Sequence, residues 1–135
     1  MELWRVRAVV NALNGSTLLG VTAAVVGRAR LHRGDRGLLL AVNHRLPFRR
    51  APAFTIGNVV LTPYDAHWLA QRPALLRHED RHASQYAACL GLPMLPLYAA
   101  AAAYSRLRAG DRGTHNPFER WAGLGDGGYL PGPDE

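Results

Sequence analysis

The segment LLRHEDRHASQY, residues 75–86, places two histidines four positions apart, with a glutamate directly after the first. It lies in a helix that we predict over residues 73–90 from a proline at its start and a glycine after its end. At helical spacing Glu79 and His82 point to one side of this helix, with His78 beside them, while the arginines point away. Burying two imidazoles and a carboxylate without a partner costs free energy, so this arrangement predicts a bound divalent cation.

The spacing of these residues suits zinc. Histidines at positions i and i+4 lie on one helix face, close enough for both rings to reach one Zn²⁺. Glu79 then points beside the metal, where its carboxylate can take a proton from water that the metal activates. Residues 78–82 therefore carry the H-E-x-x-H pattern. The competing interpretation is a polar cluster on an exposed helix, held by ion pairs between arginine and aspartate.

A catalytic zinc site needs a third protein ligand and an open fourth position. The metzincin pattern is excluded, because it needs a glycine and a histidine where the chain has Gln85 and Ala88. The downstream candidates for the third ligand are Asp111, His115, Asn116 and Glu119. We favour Glu119, which lies on a predicted short helix. The alternatives are His115 as the ligand and Glu119 as a first-turn residue favoured by the helix dipole.

The segment AVVNALNGSTLLGVTAAVVG, residues 8–27, has no charged residue and has arginine on both sides. Its polar residues weaken a membrane-spanning interpretation, so we predict a mostly buried helix over residues 3–27 that packs across a sheet. A helix that lies in or on a membrane is the alternative, and a cleaved signal peptide is a third, weaker one.

The remaining pattern predicts three strands and then three helices. RGDRG, residues 33–37, is typical of a tight turn between two short strands, and the apolar residues 53–62 predict a third strand with Gly57 as a bulge or close-approach point. After the helix already described, helices are predicted from Pro96 to about Arg108 and over NPFERWAGL, residues 116–124, which begins with an Asn N-cap and a Pro. The Gly- and Pro-rich residues 126–135 predict a flexible tail.

Length and composition fit one compact domain of residues 1–135, and its predicted helices and strands make it α+β. The 16 basic residues against 10 acidic ones give a net charge of +6. The basic residues are all arginine and are scattered, without a nucleic-acid motif, so no nucleic-acid partner is predicted. The single cysteine, Cys89, cannot form an internal disulfide and favours a reducing, cytoplasmic location, with membrane association through residues 8–27 as the variant.

RHEDRHASQY together with NPFERWA resembles the small gluzincin-type zinc metallopeptidase domains, in which a helix after the H-E-x-x-H helix donates a glutamate. It also resembles the short bacterial H-E-x-x-H-x-x-Q peptidase-like domains, including the core domain associated with contractile injection systems. The resemblance covers residues 53–122, while residues 1–52 match only in architecture. It implies a zincin-like minimal metallopeptidase fold: an N-terminal backing helix, a small three-stranded sheet, the active-site helix and C-terminal helices.

The resemblance also implies a chemistry, the hydrolysis of peptide bonds with Zn²⁺ as cofactor. The implied ligands are His78, His82 and Glu119. Glu79 is the implied general base, which takes a proton from water and passes it to the leaving amine. The substrate would be a peptide or protein, held as an added strand along residues 53–62. Gln85 would line the cleft or remain a surface amide.

One departure from the gluzincin pattern lies four residues after the ligand glutamate. That position is acidic in many gluzincins and is Gly123 here. A carboxylate that orients a ligand histidine is therefore unassigned, with Asp111 and Asp65 as candidates. The residues that could stabilise the transition state or support the ligands are Tyr86, Tyr98, Tyr104, His115, Gln85 and Asn116. Core packing is the alternative role of each tyrosine.

Two other functions stay open at this point. A non-catalytic module stabilised by zinc would keep the ligands, although Glu79 argues against it because a structural site gains nothing from a base. A small membrane-associated protein would use residues 8–27 as its anchor. The sequence predicts no particular oligomeric state.

Overall fold

The structure is a computed structural model that describes residues 2–47 and 51–123. These residues form six α-helices and a small mixed sheet of four strands, which confirms the α+β class. The elements are α1 (Leu3–Leu13), α2 (Ser16–Val26), β1 (Arg30–Arg33), β2 (Leu39–Val42), β3 (Phe54–Ile56), β4 (Val59–Leu61), α3 (Ala66–Ala70), α4 (Pro73–Ala88), α5 (Met94–Ala109) and α6 (Pro117–Ala122). The tail predicted over residues 126–135 lies outside the described residues.

The prediction of one helix over residues 3–27 is wrong, because the chain bends by 72° between α1 and α2. Gly15 takes a left-handed conformation at the bend (φ 87°), and the Asn14 side chain accepts hydrogen bonds from the N–H and hydroxyl groups of Ser16. Among the described residues, no single helix is long and apolar enough to cross a membrane. The bent pair α1–α2 meets that requirement only as a pair, by length and composition.

The sheet has four strands rather than the predicted three. β1 and β2 form the predicted antiparallel hairpin, around a 3₁₀ turn at Asp35–Gly37. The predicted third strand is instead a second hairpin, β3–β4, which reverses at Gly57 and Asn58. Gly57 has φ 64°, and a side chain there would collide with the backbone of α2 at Thr17, so this is a close-approach point. The strand order β1-β2-β4-β3 leaves β3 at an edge.

Helix α4 follows its predicted bounds closely and packs against α1, β3 and α6. Pro73 occupies its first turn, where the backbone needs no N–H donor. The chain leaves the helix through Leu90 and Gly91, both with positive φ. The core cluster that α4 shares with the sheet and α3 contains Leu38, Ala53, Val60, Leu69, Leu75 and Ala83. This packing fixes which face of α4 points inward.

Two short helices are fixed by capping side chains. Helix α3, which the sequence did not predict, is capped by Asp65, whose carboxylate accepts a hydrogen bond from the Trp68 N–H at 2.8 Å. Helix α6 begins as predicted, with Asn116 accepting from the Phe118 N–H at 3.0 Å and Pro117 at the first position. Asp65 is therefore a cap and does not orient a ligand histidine.

Candidate metal centre

Two helices bring the three predicted ligands together in the interior. α4 presents His78 and His82 one turn apart, and α6 presents Glu119 from its first turn, with exposed fractions of 2%, 7% and 3%. The two Nε2 atoms are 3.0 Å apart and lie 3.1 Å (His78) and 2.7 Å (His82) from the Glu119 carboxylate oxygens. Because one donor atom of each residue lies within 4.8 Å of the others, this cluster could hold a metal ion.

The tautomer of His82 follows from its partner, Gln85. The Gln85 amide nitrogen donates to the Phe118 carbonyl at 2.7 Å, so Gln85 Oε1 faces His82 Nδ1, at 2.9 Å. A carbonyl oxygen can only accept, so Nδ1 donates to Gln85 and Nε2 is the nitrogen that faces the cluster. Gln85 is therefore a buried residue behind a ligand, neither a cleft residue nor a surface amide.

His78 is held in the same way, but by the main chain. Its Nδ1 lies 2.8 Å from the Gly123 carbonyl oxygen, so Nδ1 donates and Nε2 is again the nitrogen that faces the cluster. Nearby, Arg81 donates to the Ala122 carbonyl at 2.6 Å. The last carbonyls of a helix lack partners within the helix, and here side chains of α4 supply the donors. Gly123 thus provides through its backbone the acceptor that the sequence analysis sought among carboxylates.

These contacts make the cluster rich in acceptors and poor in donors. Two imidazole Nε2 atoms and a carboxylate converge, and the Tyr98 hydroxyl is a further donor to that carboxylate. Either a proton or a metal cation can offset the repulsion between such groups. Three ligands of a tetrahedral metal ion with bonds of about 2.0–2.1 Å lie about 3.3 Å apart. The observed separations, 2.7–3.1 Å, are a few tenths of an ångström shorter than that value, and the residue types suit a small divalent ion.

The ionisation of the cluster also favours positive charge at its centre. Burial opposes a charge on His82, but the hydrogen bond that His82 donates to Glu119 and the charges of Glu79 and Glu119 outweigh it and raise the pKa of His82 to about 9. Burial likewise opposes the charge on Glu119, yet its hydrogen bonds to the two histidines hold its pKa well below the ordinary value. A metal ion that binds here replaces a shared proton.

Glu79, the predicted base, lies beside this cluster and contacts the edge strand. Its side chain is 3% exposed, and the Thr55 hydroxyl of β3 donates to its Oε2 at 2.6 Å. Burial raises the pKa of the Glu79 carboxyl above its ordinary value, although His82, His78 and Thr55 each act to lower it. Sequence reasoning missed Thr55, because nothing in a β-branched strand distinguishes a threonine that contacts a carboxylate from one that only packs.

Of the tyrosines singled out in the sequence, Tyr98 on α5 reaches the cluster. Its hydroxyl donates to Glu119 Oε1 at 2.8 Å, and its ring meets that of His82 edge-on, with centroids 5.9 Å apart. Tyr86 is buried on α4, where burial and the charge of Glu79 raise its pKa. Tyr104 lies on an exposed part of α5. Tyr98 is therefore the tyrosine placed to act at the site.

Three other candidates lie away from the cluster. His115 is exposed on the loop before α6 and is not part of the metal-binding group. Asn116 is fully buried, but its side chain caps α6 and donates to the Arg112 carbonyl. The Asp111 carboxylate accepts hydrogen bonds from the residues at 113 and 114, which lower its pKa. Asp111 and Asn116 therefore shape the loop and the helix rather than orient a histidine directly.

Asp80, the residue after the base, has a role that the sequence analysis did not predict. It forms ion pairs with Arg7 of α1, which is 4% exposed, and with Arg36, 3.4 Å away. Arg7 also donates to the Arg36 carbonyl. The side of α4 away from the histidines is thereby fastened to α1 and to the β1–β2 turn.

The chain matches no protein-family model, no curated protein and no solved structure. The class that the fold and the cluster define is thus an α+β protein with a buried His/His/Glu group able to hold a metal ion.

Proposed function

We propose that this chain is a zinc metallopeptidase of gluzincin type, in which His78, His82 and Glu119 bind Zn²⁺. The observation that carries the proposal is the convergence of a carboxylate with two imidazole Nε2 atoms whose rings are held by hydrogen bonds at Nδ1. Two histidines and one carboxylate are a ligand set of catalytic zinc sites, which keep a fourth position open for water or substrate. A site with a purely structural role is more often closed by four protein ligands, many of them cysteines.

The arrangement around the cluster supports a zincin-like interpretation of the fold. The helix that carries the H-E-x-x-H pattern packs beside the edge strand β3, and a later helix, α6, brings the third ligand. An edge strand has unpaired backbone groups along one side, which suit an extended peptide. The proposed substrate is accordingly a peptide or protein bound next to β3.

Each residue around the cluster has its own role in the proposed reaction. Zinc bound at the cluster would lower the pKa of a water molecule and polarise the scissile carbonyl. Glu79 takes the proton of the attacking water and passes it to the leaving amine nitrogen. Thr55 holds the Glu79 carboxylate in place by its hydrogen bond. Tyr98 has its hydroxyl next to a ligand carboxylate, where it can donate to the negative charge that develops on the substrate oxygen.

A second candidate function is favoured by the burial of the site. His78, Glu79, His82 and Glu119 are all buried, so a substrate reaches them only if a covering element moves. We expect helix α5 to be the element that moves, because it carries Tyr98 and most of its own residues are exposed. If α5 stays in place, the chain is instead a non-catalytic domain that zinc stabilises.

The test combines metal content with cleavage. Untagged protein, purified without chelators, is analysed for zinc by plasma mass spectrometry and then incubated with a peptide library, in parallel with Glu79→Gln. Close to one zinc per chain in both proteins, with cleavage only by the wild type, supports the peptidase. Zinc in both without cleavage by either supports the non-catalytic domain. Failure of the wild type to take up zinc overturns both proposals.

A further inference from the structure

A groove lies on the side of α4 that faces away from the two histidines. It has a volume of about 860 Å³ and is bounded by α4, α3, β2 and the β1–β2 turn. The α4 residues that line it recur at helical spacing, from Pro73 through Arg77 to Ser84, whereas His78 and His82 lie on the other face. A volume of this size is in the range of ligand-binding pockets in proteins.

The floor of the groove is apolar. Leu38 belongs to the core cluster, and the half-buried Leu40 and Leu76 pack against that cluster. Ala66 and Ala70 of α3 add two small side chains to the same lining. The groove can therefore take up apolar side chains of a ligand, because its floor is the partly covered edge of the core.

The lining of the groove also carries an excess of positive charge. Four arginines and two aspartates line it, which gives a net charge of +2. In the part of the chain that the structure describes, the side chains of Arg33 and Arg77 form no ion pair and no hydrogen bond, and both are exposed. Arg36 is paired with Asp80 at 3.4 Å, but its side chain remains 57% exposed. The guanidinium groups of Arg33, Arg36 and Arg77 can therefore still bind a carboxylate.

We propose that this groove binds an acidic peptide segment of a partner protein. Carboxylates of the segment pair with the three exposed arginines, and apolar side chains between them contact Leu40 and Leu76. Because the groove and the metal cluster lie on opposite faces of α4, this binding is independent of the zinc site and of any peptidase activity.

The composition of the lining favours a peptide over other anions. Asp35 and Asp80 also line the groove, so a nucleic acid, which is charged at every phosphate, would meet carboxylates along its backbone. Among the described residues of the lining, no aromatic side chain offers a surface for base stacking. In a peptide, carboxylates can be spaced to meet the arginines while neutral residues pass the aspartates. A small anion such as phosphate would leave the apolar floor without a contact.

The test is binding of the full chain to a fluorescein-labelled peptide of about eight residues, with leucine at every third position and glutamate at the others, followed by fluorescence anisotropy. The control peptide has glutamine in place of each glutamate. The test variant is Arg33→Glu/Arg77→Glu. The matched control is Arg30→Glu/Arg45→Glu, which changes the net charge equally at two exposed arginines outside the groove lining. All four arginines are exposed, so both variants should melt like the wild type, and the milder Arg33→Gln/Arg77→Gln is measured in parallel.

We expect the wild type and Arg30→Glu/Arg45→Glu to bind the acidic peptide, and Arg33→Glu/Arg77→Glu to bind it at least about tenfold more weakly. The glutamine variant should lie between them, and added salt should weaken binding by the wild type. Equal affinities of the two glutamate variants would overturn the proposal, because binding would then follow net charge alone. No binding by the wild type would overturn it as well. So would equal binding of the control peptide, or tighter binding of a single-stranded oligonucleotide of the same charge.

Discussion

A histidine binds a metal ion through one ring nitrogen. The hydrogen-bond partner of the other ring nitrogen determines which of the two is available to the metal. In this protein Nδ1 of His82 donates to the side-chain amide oxygen of Gln85 on the same helix. Nδ1 of His78 donates to the backbone carbonyl of Gly123, which follows α6. Both rings are thus held with Nε2 toward Glu119. These partners hold both rings in the ligand orientation, so less free energy is needed to order the ligands when a metal ion binds.

Gln85→Met should weaken zinc binding about 10- to 100-fold, because it removes the group that orients His82 and the donor to the Phe118 carbonyl. Methionine keeps a similar length without a comparable hydrogen bond. The measurement is competition for zinc with a chromophoric chelator. The control is Gln71→Met, at an exposed glutamine just after α3. Equal zinc affinities for the two variants would remove Gln85 from the site.

Thr55→Val keeps the shape of a buried side chain but leaves the Glu79 carboxylate without its donor. We expect it to lower the free energy of unfolding by about 1–3 kcal/mol. If the chain is a peptidase, it should also lower kcat with little change in KM. Thr55→Ser, which retains the hydroxyl, should recover most of both losses. Urea unfolding and steady-state cleavage are the measurements, and a serine variant as impaired as valine would contradict this role.

Loss of the capping side chain of α6 should affect both stability and metal binding. Asn116→Ala should cost about 1 kcal/mol of stability, and it should also weaken zinc binding because Glu119 lies in the turn that the cap fixes. Asp65→Ala removes the same kind of cap from α3, which carries no ligand. Unfolding and zinc competition are measured for both variants. A similar loss of zinc affinity in Asp65→Ala would show that the effect is only a general loss of stability.

The elements that the sequence predicted correctly are those with local signals. A proline and a glycine mark the ends of α4, an Asn-Pro pair marks the start of α6, and i, i+4 spacing places His78 and His82 on one face. The β3–β4 hairpin had a local signal that the prediction of a single strand overlooked, because Gly57 and Asn58 form a two-residue turn between β-branched residues.

The features that the sequence did not reveal depend on contacts between distant segments. The bend itself is local, at Gly15, but the directions of the two helices after it are fixed by the packing of α1 on α4 and of α2 on the β3–β4 hairpin. The acceptor for His78 is a backbone carbonyl 45 positions away, and no side-chain pattern records it. The buried pair of Arg7 and Asp80 likewise joins segments that are far apart in the sequence.

At the scale of the molecule, His82 and Glu119 should make the stability of the zinc-free protein depend on pH. The pKa of His82 is raised from 6.5 to about 9, so its contribution is complete below pH 6.5 and is lost as pH rises through about 9. The pKa of Glu119 is lowered from 4.5, so its contribution is present above pH 4.5 and is lost in stronger acid. Together they stabilise the fold most between pH 4.5 and 6.5.

Thermal unfolding of chelator-treated protein checks this dependence. Between pH 6.5 and 9 the zinc-free protein should lose up to about 3 kcal/mol of stability from His82. Zinc-loaded protein should not show the same alkaline decline, because the metal takes the place of the proton, and zinc affinity should rise with pH over this range. A flat stability profile of the zinc-free protein would contradict the proposed coupling between His82 and Glu119.

The contact of His78 with the Gly123 carbonyl bears on how such a site can evolve. A main-chain oxygen belongs to every residue, so no exchange of side chain deletes it, whereas a carboxylate in the same role is lost by one substitution. Gly123 has φ 99°, so selection at this position acts on the shape of the turn rather than on acidity. Descendants that keep the turn also keep the hydrogen-bond acceptor for the histidine, although no particular residue type marks it in the sequence.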